Sequence, residues 1–358
     1  MSRRAAWGRR VSSRCPRGES LRYLRRMSLV ARTVRITSPG GPEVLAPGEL
    51  VVREPGWGEV RVAVAAAGVN RADLLQRRGV YPAPPGAPVD VPGLEYAGTV
   101  ESVGEGVREW KPGDAVMGIV AGGALATHLV VHAREAIAVP RGMSFTDAAA
   151  LPEAFLTAYD AIVTQGGLAS GDTLLVHAIG SGVGTAALQL GQALGARTIG
   201  TSRTTEKLAR CASLGLASDD GITVTDARFA ERVHALTGGR GADVVLDGVG
   251  AAYLEEDLRA LAPGGRVVVI GLLAGATAPL ALGMLLQKRA RVLGSVLRSR
   301  PLEEKIALAR VFTQRLLPLF ERGALRPVVD AVLSMDAARE AHARLEAGDS
   351  FGKLVLAW

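Results

Sequence analysis

The sequence predicts an α/β protein with two styles of domain, and three observations carry that reading. Residues 173–203 run as an apolar strand (TLLV), a glycine turn, a helix and a second strand at 197–201. The helix places Val183, Ala186, Ala187, Leu190 and Leu194 on one face, so the unit reads as βαβ. Downstream, strands at 243–246, 266–270 and 291–297 alternate with helical stretches at 204–214, 227–236 and 253–261. That alternation indicates a doubly wound parallel sheet covered on both faces. Upstream, short strands at 32–37, 50–53, 59–66, 98–103, 114–117 and 126–131 are divided by Pro-Gly and Gly-Pro pairs. Strands so short and closely spaced suggest a compact, partly closed barrel.

Taken in order, residues 1–27 hold nine arginines and one acid, Glu19. They read as a basic, disordered extension, with a presequence as the alternative. They account for the net charge of +7, because the rest of the chain has 33 basic and 34 acidic residues. A neutral body gives no case for nucleic-acid binding. Residues 28–150 form the first part of the strand-rich domain. A proline-rich loop at 81–92 interrupts it, and long loops in compact domains are commonly functional. A helix at 151–165 leads into the parallel-sheet domain, expected over 151–298. Residues 299–358 return to the first style, with helices at 302–322 and 336–348 and strands at 328–333 and 352–356. Run 291–297 comes last in the parallel series and is expected to be an edge strand, open to pairing with a second copy. Proline at Val296 is the probe of that edge.

Composition excludes several classes. With 358 residues and 48% hydrophobic content, two ordinary domains can form. No apolar run reaches the roughly 18 residues that span a membrane. Two cysteines, Cys15 and Cys211, exclude a disulfide framework and a four-cysteine zinc lobe, and point to the reducing cytoplasm.

The chemistry starts at the glycine turn. Gly180, Ser181, Gly182, Val183 and Gly184 lie where the first strand meets the helix. Missing Cβ atoms let backbone N–H groups approach a pyrophosphate at the positive end of the helix dipole. The spacing is G-x-G-x-G, a variant of the dinucleotide fingerprint G-x-G-x-x-G, and a purely structural turn is the alternative. The next strand tip carries no acid. Thr201 and Ser202 are followed by Arg203 and Lys207. Hydroxyls and cations suit a 2′-phosphate, which favours NADPH over NADH.

Several strings resemble one family: GVNRADLLQRRGVYP, PGLEYAGTVESVGEGV, WKPGDAVMG, LPEAFLTAYDA, HAIGSGVGTAALQL, ADVVLDGVG, LAPGGRVVVIG and FGKLVL. Together they resemble the medium-chain dehydrogenase/reductases, in the zinc-free quinone oxidoreductase branch (zeta-crystallin-like). The resemblance implies a GroES-like catalytic domain split around a Rossmann domain, and a homodimer with a sheet continuous between subunits. Where the zinc branch has a catalytic cysteine and a histidine, this chain has Asn70 and Leu94. Leucine cannot coordinate, so no metal is expected, and Glu95 reads as a buried or helix-capping carboxylate. The resemblance places Asn70 and Tyr81 beside the nicotinamide and the acceptor, as donors to an oxygen that gains charge. It assigns further cofactor contacts to Thr157, to Asp247, Gly248, Val249 and Gly250, to Gly271, Leu272 and Leu273, and to Lys353, for which a surface charge is the alternative. His128, His132 and His177 lack a paired acid at a telling spacing and read as structural. The expected activity is NADPH-dependent quinone reduction. The alternatives are reduction of an enone or enoyl thioester, or a non-enzymatic NADPH-binding role, structural or in RNA binding.

Overall fold

The computed structural model describes residues 28–358, so the reading of residues 1–27 lies outside the described residues. Among the described residues, seven strands precede the parallel sheet: β1 (Ser28–Ile36), β2 (Leu45–Arg53), β3 (Glu59–Val69), β4 (Glu95–Val103), β5 (Ala115–Ile119), β6 (His128–His132) and β7 (Ile137–Ala138). Six form the parallel sheet: β8 (Thr173–Val176), β9 (Arg197–Ser202), β10 (Gly221–Thr223), β11 (Ala242–Asp247), β12 (Leu261–Val269) and β13 (Arg291–Gly294). β14 (Val329–Ser334) and β15 (Lys353–Ala357) follow.

The parallel sheet has the order β10-β9-β8-β11-β12-β13. The chain therefore starts at the centre with β8, winds outward through β9 and β10, then returns to β11 and winds the other way. Ligands bind at such a reversal, outside the carboxyl ends of the two central strands. Leu174, Leu175, Val176, Val244, Val245, Val267 and Val268 are buried. These runs are apolar on both faces because helices cover both, and each such side chain contributes about 1.5–3 kcal/mol by burial.

The other main sheet runs β14-β15-β3-β4-β5-β7, with β6 paired to β3. β1 and β2 form a separate antiparallel pair. β15, from the end of the chain, inserts between β14 and β3, parallel to the first and antiparallel to the second. Just before it, the Gly352 N–H donates to Gly180 O over 2.9 Å. The last strand thus begins against the glycine turn of the parallel sheet. The helix Pro152–Tyr159 continues through a wide turn, Asp160–Gln165, and packs on Gly182–Ala193, so one core runs from β3 and β4 into the parallel sheet.

β13 lies at the edge of its sheet, as the sequence expects, but it ends at Gly294. Val296 stands beyond the strand, so proline there does not test the edge. The Ser295 N–H donates to Val269 O over 3.0 Å. Alternate residues of a parallel strand face the same neighbour, so the N–H of Val292 faces outward. Val292 is the right position. The short elements Arg71–Arg77, Phe145–Ala148, Gly221–Thr223 and Leu282–Lys288 had no expectation in the sequence. Among the described residues no helix is long and apolar enough to cross a membrane.

Candidate active site

The site forms where the carboxyl ends of β8 and β11 meet the N-terminus of Arg71–Arg77 and the start of β15. Gly180–Gly184 makes the turn. The Ser181 hydroxyl caps Gly182–Ala193 by accepting from the Gly184 N–H over 3.0 Å. As the first two helical residues, Gly182 and Val183 have no intrahelical acceptor for their N–H groups. Ala178, just before the turn, has φ +48°, a conformation that non-glycine residues rarely adopt and that marks functional turns. These features fit a pyrophosphate.

At the tip of β9 the expected residues have different partners. The Ser202 hydroxyl accepts from the Thr204 N–H over 3.2 Å, and the Lys207 ammonium donates to Gly348 O. Arg203 is exposed, and among the described residues its guanidinium has no hydrogen bond or ion pair. Sequence reading missed Arg71, which also has no such partner. Burial, then the charges of Arg78 and Arg203, holds its pKa below the usual guanidinium range. Burial and Arg203 lower Lys207 too. Arg78 is paired with Glu346, and Asp349 and Asp330 lie near Lys207, but Arg71 and Arg203 stand together with no ion pair among the described residues, and two such cations fit a phosphate. The signal for Arg71 was its place next to Asn70.

The loops after β11 and β12 are tied to each other. Asp247 Oδ1 accepts from the N–H groups of Val249 and Gly250 at 2.6 and 3.0 Å, so this carboxylate holds its own turn. Burial, then Asp257, pushes it up to about 6. Ala274 N–H donates to Val249 O over 2.8 Å, and a Cβ on Gly271 would lie 2.9 Å from Gly248 O. Leu272 and Leu273 are more than half exposed beside this loop.

Lys353 is not a surface charge. It is 5% exposed, and its stem crosses Gly182, where a Cβ would lie 2.5 Å from Lys353 Cδ. Its ammonium donates to Val69 O at 3.0 Å and Asn70 Oδ1 at 2.6 Å, and pairs with Glu95 Oε1 at 2.7 Å. Glu95 is fully buried, and its Oε2 accepts from the Glu153 N–H over 2.9 Å at the start of Pro152–Tyr159. It is the helix-capping carboxylate that the sequence suggests. Asn70 Nδ2 donates to Glu95 Oε1 at 3.0 Å and to Gly68 O at 3.3 Å. Both amide hydrogens are therefore engaged, and positioning Lys353 and Glu95 is the role this arrangement leaves to Asn70.

Tyr81 lies on the loop opposite. Its ring stands 5.1 Å from the Arg298 guanidinium, and no hydrogen bond to its hydroxyl is found among the described residues. Burial raises its pKa, Arg298 lowers it and Glu153 raises it. Arg298 is itself buried and donates to Ala121 O at 2.7 Å, to Tyr81 O at 3.3 Å and to Gln76 Oε1. Thr157, partly exposed, lies one turn after Glu153 on the same helix face. Leu94 is buried, and among the described residues no group of three or more His, Cys, Asp or Glu side chains could hold a metal ion.

The structure corrects the reading of His177 as lacking an acid. Its Nε2 is 2.6 Å from Asp257 Oδ1, and its Nδ1 is 2.8 Å from Thr201 Oγ1. Phe229 and Tyr253 pack against the ring. The acid lay 80 residues downstream, where no local spacing could reveal it.

A glycine turn at the carboxyl end of β8, packed against Gly352 and Lys353 of the strand-rich domain, is the arrangement of a nicotinamide-dependent oxidoreductase. The family model described as a zinc-binding dehydrogenase matches residues 182–313, and that of the alcohol dehydrogenase GroES-like domain matches 56–141. A quinone oxidoreductase of Pseudomonas aeruginosa is 35% identical over 91% of this chain and 99% of its own length. The chain belongs to the medium-chain dehydrogenase/reductase superfamily, in its quinone oxidoreductase branch. The solved quinone oxidoreductase of Pseudomonas syringae pv. Tomato DC3000 superposes with TM-score 0.82 at 32% identity, covering 92% of this chain and 100% of that one. The CurK enoyl reductase does so with TM-score 0.81 at 27% identity, covering 91% and 99%. A pikromycin polyketide synthase component of Streptomyces venezuelae is 38% identical over 65% of this chain, which spans 6% of that protein's length.

Proposed function

We propose that the chain is a cytoplasmic enzyme that reduces quinones with NADPH, without zinc. One observation carries this reading: Arg71 and Arg203, which have no hydrogen bond or ion pair among the described residues, are close enough for Arg203 to lower the pKa of Arg71, and Arg71 directly follows Asn70, which Lys353 holds. The cofactor, when bound, supplies a hydride. Gly182 and Val183 hold its pyrophosphate, and Arg203 with Arg71 holds its 2′-phosphate. Thr157, the 247–250 loop and the 271–273 loop line its nicotinamide side, where Leu272 and Leu273 keep water out. Tyr81 flanks the acceptor, and Asn70 keeps Lys353 and Glu95 in place. Most of the acceleration comes from holding the acceptor against the reactive ring.

Arg203→Ala is expected to weaken NADPH binding by about 1.5–3 kcal/mol, the cost of a lost charge-assisted contact, with little change for NADH. Dissociation constants for both cofactors check this, and equal wild-type affinities would sink the NADPH preference. NADPH oxidation with a panel of quinones, enones and enoyl thioesters tests the acceptor. The likeness to an enoyl reductase favours activated alkenes as the second reading. If no acceptor supports turnover, a non-enzymatic NADPH-binding role takes its place. RNA binding lost on deleting residues 1–27 would belong to that segment.

We also propose a homodimer through β13. Leu282 and Leu286, on the helix just before β13, and Val296, just after it, are exposed apolar side chains that a second copy would cover. Sedimentation is expected to give a dimer, and Val292→Pro a folded monomer. A wild-type monomer at micromolar concentration, or a dimeric Val292→Pro variant, would place any contact elsewhere.

A further inference from the structure

We propose that Glu153 is the proton donor of the reaction, its carboxyl giving a proton to the acceptor oxygen that gains charge as the hydride arrives. The inference rests on the reductase reading above. Among the charged groups around it, Glu153 alone keeps its side chain unengaged. Glu95 is held by Lys353, Asn70 and the Glu153 N–H. Asp73 accepts from the N–H groups of Asn70 and Gly93, each at 2.8 Å. Arg298 and Lys353 are bound as described. Among the described residues the Glu153 carboxyl has no hydrogen bond or ion pair, and the residue keeps accessible surface where Glu95, Asp73, Arg298 and Lys353 are buried. Its backbone is fixed at the helix start by Glu95, so the free carboxyl is aimed by a rigid element. Tyr81, whose hydroxyl likewise has no hydrogen bond among the described residues, lies close enough for Glu153 to raise its pKa.

The surroundings give this carboxyl a proton to donate. Burial, then the charges of Glu95 and Asp73, raises it, while Lys353 and Arg298 pull it down, leaving it at about 8. A carboxyl protonated at neutral pH beside a developing oxyanion meets the requirement of a general acid. The step balances. The hydride carries two electrons to the quinone, one oxygen forms an O–H bond with the Glu153 proton, and the carboxyl O–H bond breaks to leave a carboxylate. Quinone, hydride and proton together make the hydroquinone. Water then returns a proton to Glu153.

Glu153→Gln keeps the shape and removes the acid. Its kcat is expected to fall about a hundredfold or more, with the NADPH dissociation constant unchanged. The wild-type decline of kcat through about pH 8 should be lost. Two readouts do not need turnover. In the cofactor-free protein, a protonated-carboxyl infrared band that fades as pH rises through about 8 is expected, and that component is expected to be missing in Glu153→Gln, while the components of Asp73 and Asp247 that fade near pH 6 remain. A folded pKa raised above the unfolded value contributes stability that is full below about 4.5 and is lost as pH rises through about 8. Wild type should therefore lose thermal stability relative to Glu153→Gln across that window. The inference is overturned by an active wild type with an equally active Glu153→Gln, by loss of turnover confined to Tyr81→Phe, or by no difference in band or stability between the two proteins. A wild type that oxidises NADPH with no acceptor fails the reductase reading itself, and this inference with it.

Discussion

Lys353→Met is expected to destabilise the protein by about 3–5 kcal/mol and to stop turnover. The ammonium is almost wholly buried and serves three acceptors: Val69 O at the end of β3, Asn70 Oδ1 at the N-terminus of Arg71–Arg77 and Glu95 Oε1 at the start of β4. Its removal leaves the fully buried Glu95 carboxylate without a counter-charge, beside Glu153 and close to Asp73. A carboxylate stranded in that way takes up a proton or draws in water, and either change releases the end of Asn70 and the start of Pro152–Tyr159. Methionine retains the stem that crosses Gly182, so the effect belongs to the charge and not to lost packing. The double variant Lys353→Met with Glu95→Gln is expected to recover much of the stability, because removing both partners of a buried pair is far milder than removing one. Chemical unfolding of wild type, the single variant and the double variant checks this. A single variant within about 1 kcal/mol of wild type would show that the ion pair does not hold the cleft.

What could be read in the sequence divides by range. The central βαβ unit was legible because its strand, turn and helix carry their own periodicity within 31 residues. The strands of the parallel sheet were legible because burial on both faces makes them uniformly apolar. The split barrel was legible only in style, since β15 pairs with β3 across nearly the whole chain and nothing local announces that. The site shows the same division. Gly180–Gly184 and Arg203 could be singled out from local pattern, and Asn70 from the family resemblance. The partners that decide what they do come from afar: Lys353 to Asn70, Asp257 to His177, Arg298 to Gln76. Glu153 lies within the string LPEAFLTAYDA, yet its free side chain follows from every neighbour already being engaged, a property of packing.

Gly184→Ala is expected to lower stability by about 1–3 kcal/mol and to weaken NADPH binding at least about tenfold. Helix propensity predicts the opposite sign, since alanine is better than glycine in a helix by about 1 kcal/mol. Packing overrides it. A Cβ at Gly184 would lie 2.5 Å from Ala178 O and 2.6 Å from Ile179 O, backbone atoms of the turn that follows β8. Those carbonyls cannot swing aside as a side chain can. Ala178 already holds a strained φ of +48°, and its carbonyl accepts from the Ser181 N–H over 2.8 Å. The helix must therefore move away from the strand, and the N–H groups of Gly182 and Val183 move with it. The neighbouring glycines differ. At Gly180 the nearest atoms are side-chain carbons of Lys207 and Phe351, at 3.1 Å and beyond, so Gly180→Ala should be mild. At Gly182 the close contact is the flexible stem of Lys353. In a G-x-G-x-G turn it is thus the third glycine that sets how close helix and strand can lie. A Gly184→Ala protein that unfolds at a higher temperature than wild type and binds NADPH as tightly would refute the close approach on which this reading of the turn depends.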